Sequence, residues 1–254
     1  MHIEGLGQIG SALAKARRAS RSSDIDLRSI GSLQQAQDVQ DAAVMGYGGV
    51  LRGYTLAATT ALTARLLHCP KPIIGNLFDE HIHDTEGTLS IPYSFIGLGA
   101  QFLFMLGSPL AKPVTLEAVR NAVISCHVGI QLLGRRVPHG VPLNEWSATA
   151  DFGLDVGCVR GPSIEDWDRI DLKDIDASLQ LNGNVVGRGS GAEVFGDPIA
   201  AVLWLAHALA ARGSTLQAGD IIATGSCTGL AQVAPGQCVR AGFGELGHVE
   251  LNLV

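Results

Sequence analysis

The stretch Val186-Gly187-Arg188-Gly189-Ser190-Gly191-Ala192-Glu193-Val194-Phe195-Gly196-Asp197-Pro198 decides how this chain is read. It is a glycine-dense loop ending in Asp-Pro, and an apolar, alanine-rich run follows from Ile199 to Ala211 at helical spacing, with Trp204 inside it. Asp197 suits the N-cap, and Pro198 suits the first helical position, where a missing N–H leaves no bond unmade. Gly213 ends the helix, and Leu216 to Thr224 reads as a strand entered through the turn Ala218-Gly219-Asp220. Loop, helix and strand together gather backbone N–H groups at one helix N-terminus. Such a place can hold a carboxylate or enolate without a cationic side chain.

Around this stretch the chain is rich in short strands. Ala177–Leu181, the Asn182-Gly183 turn and Val185-Val186 form one hairpin, and Gln237–Phe243 with Gly247–Leu253 form another. Toward the N-terminus, helices are expected over Ile9–Arg18, Ser32–Val44 and Thr59–His68, with a polar linker Ser20–Asp26. A short strand Asn76–Phe78 leads into a charged loop, Asp79–Gly87. Strands then follow at Thr88–Ile91 and Gly97–Leu106, a helix opens at Thr115 and runs to about Ser125, and Val128–Leu133 and Leu154–Val159 are strands again. The pattern is a mixed α/β chain, a β-roll with peripheral helices. It divides into an N-terminal helical arm and lobe, residues 1–75, and a mixed β-roll domain, residues 76–254.

With 46% apolar and 17% charged residues, the 254-residue chain has ample material for a packed core. A net charge of −6 and the lack of a basic cluster argue against nucleic acid as a partner. Five scattered cysteines with no CxxC pair read as reduced thiols rather than a disulfide frame or a zinc site. The N-terminus lacks the pattern of a signal peptide, and no apolar run is expected to reach membrane-spanning length, so a cytoplasmic protein is expected.

Gly187-Arg188-Gly189-Ser190, Gly196-Asp197-Pro198, Trp204-Leu205-Ala206 and Gly219-Asp220-Ile221-Ile222-Ala223-Thr224-Gly225 occur in that order. The ordered set resembles the C-terminal half of the 2-oxopent-4-enoate hydratase and 4-oxalocrotonate decarboxylase family, within the fumarylacetoacetate hydrolase superfamily. The resemblance implies that superfamily's β-roll, an N-terminal helical arm and homo-oligomers built from dimers. It also implies a divalent metal, Mg²⁺ or Mn²⁺, held by three glutamates, two of them on one strand as Glu-x-Glu. Here Gly99 and Gln101 stand at the first two of those positions and Gln131 at the third. Thr55 matches the lysine of the family's Gly-x-Lys-x-Gly segment, and Ile73 matches the aspartate of Pro-Asp-Phe-Gly. Two neutral amides and a glycine do not neutralise a divalent ion, so no cofactor is expected, with Mg²⁺ or Mn²⁺ as the alternative.

In place of a metal, alternation puts His127, Gly129 and Gln131 on one face and Gly97, Gly99 and Gln101 on another. If the two strands are neighbours, His127, Gln101 and Gln131 line one pocket, with the amides polarising a carbonyl and the histidine moving a proton. The plainer reading is a packed histidine and two satisfied amides. His81, in Asp79-Glu80-His81-Ile82-His83, is either an acid/base or ligand group on a lid or part of a solvated loop. Asp151 resembles the aspartate of the family's Ala-Asp-Asn segment and is either a pocket acid or a turn residue. Arg188 and Ser190 either fix the glycine loop or touch an anionic substrate group. Thr224, Gly225, Ser226 and Thr228 are expected on the pocket floor, with Cys227 among them lacking the histidine a nucleophile needs.

Three functions are compatible with this sequence. The first is a metal-independent lyase or isomerase acting on a small oxo or enol compound, by tautomerisation, ring closure or bond cleavage. The second is a conventional Mg²⁺-dependent hydratase with its acid ligands elsewhere, from Asp79, Glu80 or Asp151. The third is a non-catalytic binder or an inactive partner of a paralogue.

Overall fold

The structure, a computed structural model, describes residues 3–91, 95–110, 112, 114–138 and 140–254. In chain order come helices α1 (Ile3–Arg18) and α2 (Leu33–Tyr47), strand β1 (Leu51–Ala57), helix α3 (Ala61–Leu66), and strands β2 (Ile73–Phe78), β3 (Ile82–Asp84), β4 (Gly87–Leu89) and β5 (Phe95–Leu106). Helix α4 (Leu116–Ala122), strand β6 (Val123–Gly134), helix α5 (Glu145–Ala150) and strands β7 (Asp155–Ser163), β8 (Asp176–Leu181) and β9 (Asn184–Ser190) follow. Helix α6 (Pro198–Ala211) and strands β10 (Ile221–Ala223), β11 (Cys238–Gly242) and β12 (His248–Leu253) complete the chain.

Seven strands form one sheet in the order β2-β1-β10-β5-β6-β7-β3, and five form a second in the order β4-β12-β11-β8-β9. The first sheet is rolled, and one hydrogen bond demonstrates it. Gln131 on β6 donates from Nε2 to the Leu56 carbonyl on β1 at 2.7 Å, although β10 and β5 lie between those strands. In a flat sheet three strand spacings separate them by about 14 Å. Leu77, Leu103, Cys158, Ile221 and Ala223 fill the inside of the roll. On the opposite face, Leu98, Ala100, Phe102, Phe104, Val128 and Ile130 belong to the main core, which also takes in α6 and the inner residues of the second sheet.

Local signals explain most of the elements. Ser32 caps α2 by accepting from Gln35 N, Thr60 and Asn144 form capping boxes on α3 and α5, and Asp197 caps α6 with Pro198 in the first turn. Helices α1 and α2 are in close contact at Gly10, where a Cβ would stand 2.7 Å from the Ala42 Cβ. Their shared apolar face, Leu13, Val39 and Ala43 among it, stacks on Phe78 and Phe152 of the body.

Several expectations change. β1 is interior to the larger sheet, so residues 51–57 share their hydrogen bonding with the body, and the helical layer itself ends at Tyr47. The charged loop contains a 3-10 turn, Asp79–His81, and then β3, which pairs in parallel with β7. The first half of the glycine-dense loop is strand β9, because its glycines let it lie against the backbone of the 227–228 loop. The strand before Thr224 is only three residues long, and β6 begins five residues earlier than expected. Gly191–Ala211, 21 residues, is by length and composition long and apolar enough to cross a membrane, contrary to expectation. Its helical part, α6, buries Ile199, Val202, Leu205 and Leu209 in the main core.

Candidate functional site

Strands β5 and β6 pair directly, with Gly99 opposite Gln131, Gln101 opposite Gly129 and Leu103 opposite His127. All six residues therefore share the face that turns into the roll. Around them the roll presents a neutral polar lumen. Thr55, Gln101, Gln131, Thr224 and Ser226 are each at most 1% exposed, so the lumen is closed in this conformation.

The two glutamines differ. Gln131 has its Nε2 engaged, donating to Leu56 O and, at 3.4 Å, to Thr55 Oγ1. Gln101 is wholly buried, and neither its Nε2 nor its Oε1 has a partner. An amide left in that state costs roughly 1–3 kcal/mol, which a ligand or water with both donor and acceptor character recovers. The pocket floor expected from the sequence is partly spent on structure. Thr224 Oγ1 donates to Phe102 O at 3.1 Å, Thr228 Oγ1 accepts from Ala100 N at 3.1 Å, and Ser226 Oγ donates to the Gly229 carbonyl. Gly225, at φ +91°, packs against Thr59, whose buried Oγ1 is itself unpartnered.

His127 is half-buried at the outer end of the same face. Its Nδ1 lies 3.1 Å from the Gly161 carbonyl, an acceptor only, so Nδ1 carries the proton and Nε2 keeps a free lone pair. Burial lowers its pKa and keeps it neutral, with the Gly161 bond opposing that shift.

His81 and Asp151 do not join the lumen. They belong to a network of buried ions at the foot of α1. Arg17 pairs with Asp155 at 2.7 Å, and Arg136 pairs with Asp151 at 2.6 Å. Both carboxylates stand on a tight turn in which Phe152, Gly153 and Leu154 all take left-handed backbone angles, φ +54°, +63° and +65°. Two non-glycine residues in that region mark strain that the surrounding contacts must hold. Asp151 is thus a fixed counter-ion to Arg136, not a pocket acid. His81 Nδ1 receives a hydrogen bond from Arg17 Nη2 at 3.1 Å, so its own proton sits on Nε2. Burial and the adjacent Arg17 charge lower the His81 pKa to about 4. Asp155 and Arg17 gave no signal in the sequence; only their meeting across 138 positions gives them a role.

Arg188 is exposed on edge strand β9, on the face opposite Gly187 and Gly189, which press on the 227–228 backbone; this removes it from the lumen. Ser190 ends that strand, opposite Asp176. The N-terminus of α6 is not free for an anion either, since Asp197 Oδ1 accepts from Ile199 N and its other oxygen faces Arg120 at 3.6 Å.

A divalent metal does not fit the lumen. Gly99, Gln101 and Gln131 bring no carboxylate, and a Cβ at Gly99 would collide with Ser226 Oγ and the Gly229 carbonyl. Asp79 is engaged with Arg52 and Asp151 with Arg136, so neither substitutes. Among the described residues no group of three or more His, Cys, Asp or Glu could hold a metal ion.

The fumarylacetoacetate (FAA) hydrolase C-terminal family matches residues 70–254. A 2-keto-4-pentenoate hydratase 2 of Dechloromonas aromatica is 35% identical over 86% of this chain and 84% of its own length. A 2-oxo-hept-4-ene-1,7-dioate hydratase of Escherichia coli is 26% identical over 94% of this chain and 93% of its own. Among solved structures, the 4-oxalocrotonate decarboxylase of Pseudomonas putida G7, complexed with magnesium and adipate, superimposes with a TM-score of 0.90 at 23% identity, over 100% of this chain and 99% of that one. The chain belongs to the FAA hydrolase family, and the relatives it resembles are hydratases and decarboxylases of that family.

Proposed function

We propose that this chain is a lyase- or isomerase-type enzyme that acts on a small oxo or enol compound without a divalent metal. One observation carries the reading. The face that would carry the metal ligands holds instead a fully buried, unpartnered amide, Gln101. Its Nε2–H is suited to hold a carbonyl or enolate oxygen, a role in which one donor is commonly worth about 10²–10³ in rate. His127, diagonal to Gln101 across the strand pair, takes a proton from carbon at Nε2 and returns it elsewhere on the substrate. The 226–229 loop covers Gly99 and must lift to admit the substrate. The same reading includes a homo-oligomer, which light scattering tests.

Calorimetric titration of the metal-free chain with Mg²⁺ and Mn²⁺, with and without oxalate, tests the proposal. No stoichiometric binding is expected. Binding that oxalate tightens would overturn it in favour of the second reading, a Mg²⁺-dependent hydratase. That alternative draws its support from the named activities of the relatives and the magnesium complex of the superimposed decarboxylase.

A further inference from the structure

Beside the ion network at the foot of α1 lies a cavity of about 210 Å³, lined by Arg17, Arg21, Arg135, Arg136, His81 and His83 among others. It is separate from the closed lumen, and nothing in the lumen's chemistry uses it. Its charge is unbalanced. Three buried arginines, Arg17, Arg135 and Arg136, stand with two buried carboxylates, Asp151 and Asp155, and the exposed Arg21 adds a further positive charge at the rim. The Arg21 backbone N donates to Ala16 O at 3.1 Å, while its guanidinium makes no ion pair or hydrogen bond among the described residues. Among the described residues the Arg135 guanidinium makes one hydrogen bond, 2.6 Å to the Val141 carbonyl, and no ion pair.

Unpartnered polar atoms are buried beside the cavity as well. The Nε–H groups of Arg17 and Arg135 have no partners, on side chains 5% and 8% exposed, and Asp155 Oδ1, an acceptor next to Arg17, has none either. Guanidinium groups do not give up their protons, so these donors persist at any working pH. Arg17 is held in place as well as charged. Its guanidinium stands 4.8 Å from the Phe78 ring centroid and 4.7 Å from that of Phe152, with Asp155 behind it. His81 adds a neutral donor, because Arg17 occupies its Nδ1 and leaves the proton on Nε2. An excess of fixed positive charge, unfilled planar donors and a preorganised wall are what a carboxylate or phosphate group needs.

We propose that this cavity is a binding site for a small oxyanion-bearing ligand, a carboxylate or a phosphate, held by Arg135 and Arg21 with Arg17 and His81 at the back. The site is independent of whether the lumen works without a metal. Its volume admits a compound of a few carbon atoms, or inorganic phosphate, rather than a nucleotide.

Thermal unfolding of the full chain in succinate, in phosphate and in chloride at matched ionic strength tests this, with titration calorimetry for affinity. Succinate or phosphate should raise Tm above the chloride control, and the one that binds more tightly identifies the class. Arg135→Gln should weaken that ligand by about tenfold or more, as loss of a charge-assisted pair does. Because Arg135 is buried, Arg21→Gln at the exposed rim serves as the second variant and should weaken it several-fold. Arg169→Gln, at an exposed residue paired with Asp166 and outside the cavity wall, should leave it unchanged. No oxyanion-specific rise in Tm, or a rise of the same size in both cavity variants, would overturn the assignment.

Discussion

The Arg17 guanidinium stands 4.7 Å from the centroid of the Phe152 ring, and the Arg136 guanidinium stands 5.1 Å from the same ring. Phe152 sits in the left-handed turn between Asp151 and Asp155, the carboxylates that pair with those two arginines. One strained residue therefore connects both ion pairs. The backbone strain of that turn, on the order of 1–3 kcal/mol per residue, persists because the ion pairs and the ring hold it from both sides.

Phe152→Ala should destabilise the chain by roughly 3–5 kcal/mol, since the ring is fully buried and anchors the α1–α2 layer as well as the arginines. Urea unfolding measures it. A loss under about 1 kcal/mol would show that the turn is not a keystone of this region.

Asp155→Asn separates charge from shape. The substitution nearly preserves volume but leaves Arg17 buried without its counter-ion, and truncating one partner of a buried pair costs about 3–5 kcal/mol. If Asp155→Asn unfolds at the wild-type urea concentration, the pair does not contribute as the geometry requires.

Acidification should also loosen this region. The His81 pKa is lowered from 6.5 to about 4 by burial and by Arg17, so between those values the unfolded chain binds a proton that the folded one refuses. Stability from this group is complete above about pH 6.5 and falls as pH drops toward 4. Burial lowers His83 and His127 in the same direction, so His81→Gln should flatten the slope in part. A Tm against pH curve of unchanged slope in His81→Gln would contradict a lowered His81 pKa in the folded chain.

Much of the fold was legible because its signals are local. The Asn182-Gly183 turn, the caps at Ser32 and Asp197, and the alternation of β5 and β6 all act within a few residues. Alternation also groups His127 with Gln131, and Gln101 joins them because β5 and β6 are neighbours, the condition the sequence reading set. Alternation could not separate the engaged Gln131 from the unpartnered Gln101, because that distinction depends on Leu56 coming over β6 when the sheet rolls. For Asp151 the neighbours in sequence leave a pocket acid and a turn residue equally open, because its partner Arg136 is set by the fold. The cavity at the foot of α1 was invisible for the same reason. Arg17, His81 and Arg135 come from three distant segments, and of these only the His81 segment carries a signal of its own.

The two glutamines should respond in opposite ways to substitution. Gln101→Met removes a buried amide with no partners and should leave stability unchanged or raise it by about 1 kcal/mol, while removing turnover. Gln131→Met strands the Leu56 carbonyl and should cost about 1–3 kcal/mol. Equal losses in the two variants, by urea unfolding, would mean that Gln101 is a structural amide and would remove the observation on which the proposed chemistry rests.

Returning carboxylates to the lumen should not return a metal. In Gln101→Glu/Gln131→Glu the third ligand position is still blocked, because Ser226 Oγ and the Gly229 carbonyl occupy the space a side chain at Gly99 would need. Two buried carboxyls on neighbouring strands repel each other and lose hydration, so both folded-state pKa values rise above the unfolded value of about 4.3. The stability of the variant is therefore greatest at acid pH and is lost as pH rises through the raised values. Unfolding at pH 5 and pH 8, with and without Mg²⁺, reads this directly. The expected result is a less stable variant at pH 8 that millimolar Mg²⁺ does not rescue. Rescue with one-to-one binding would show that the lumen can still close around a divalent ion, and that only its charges had been lost.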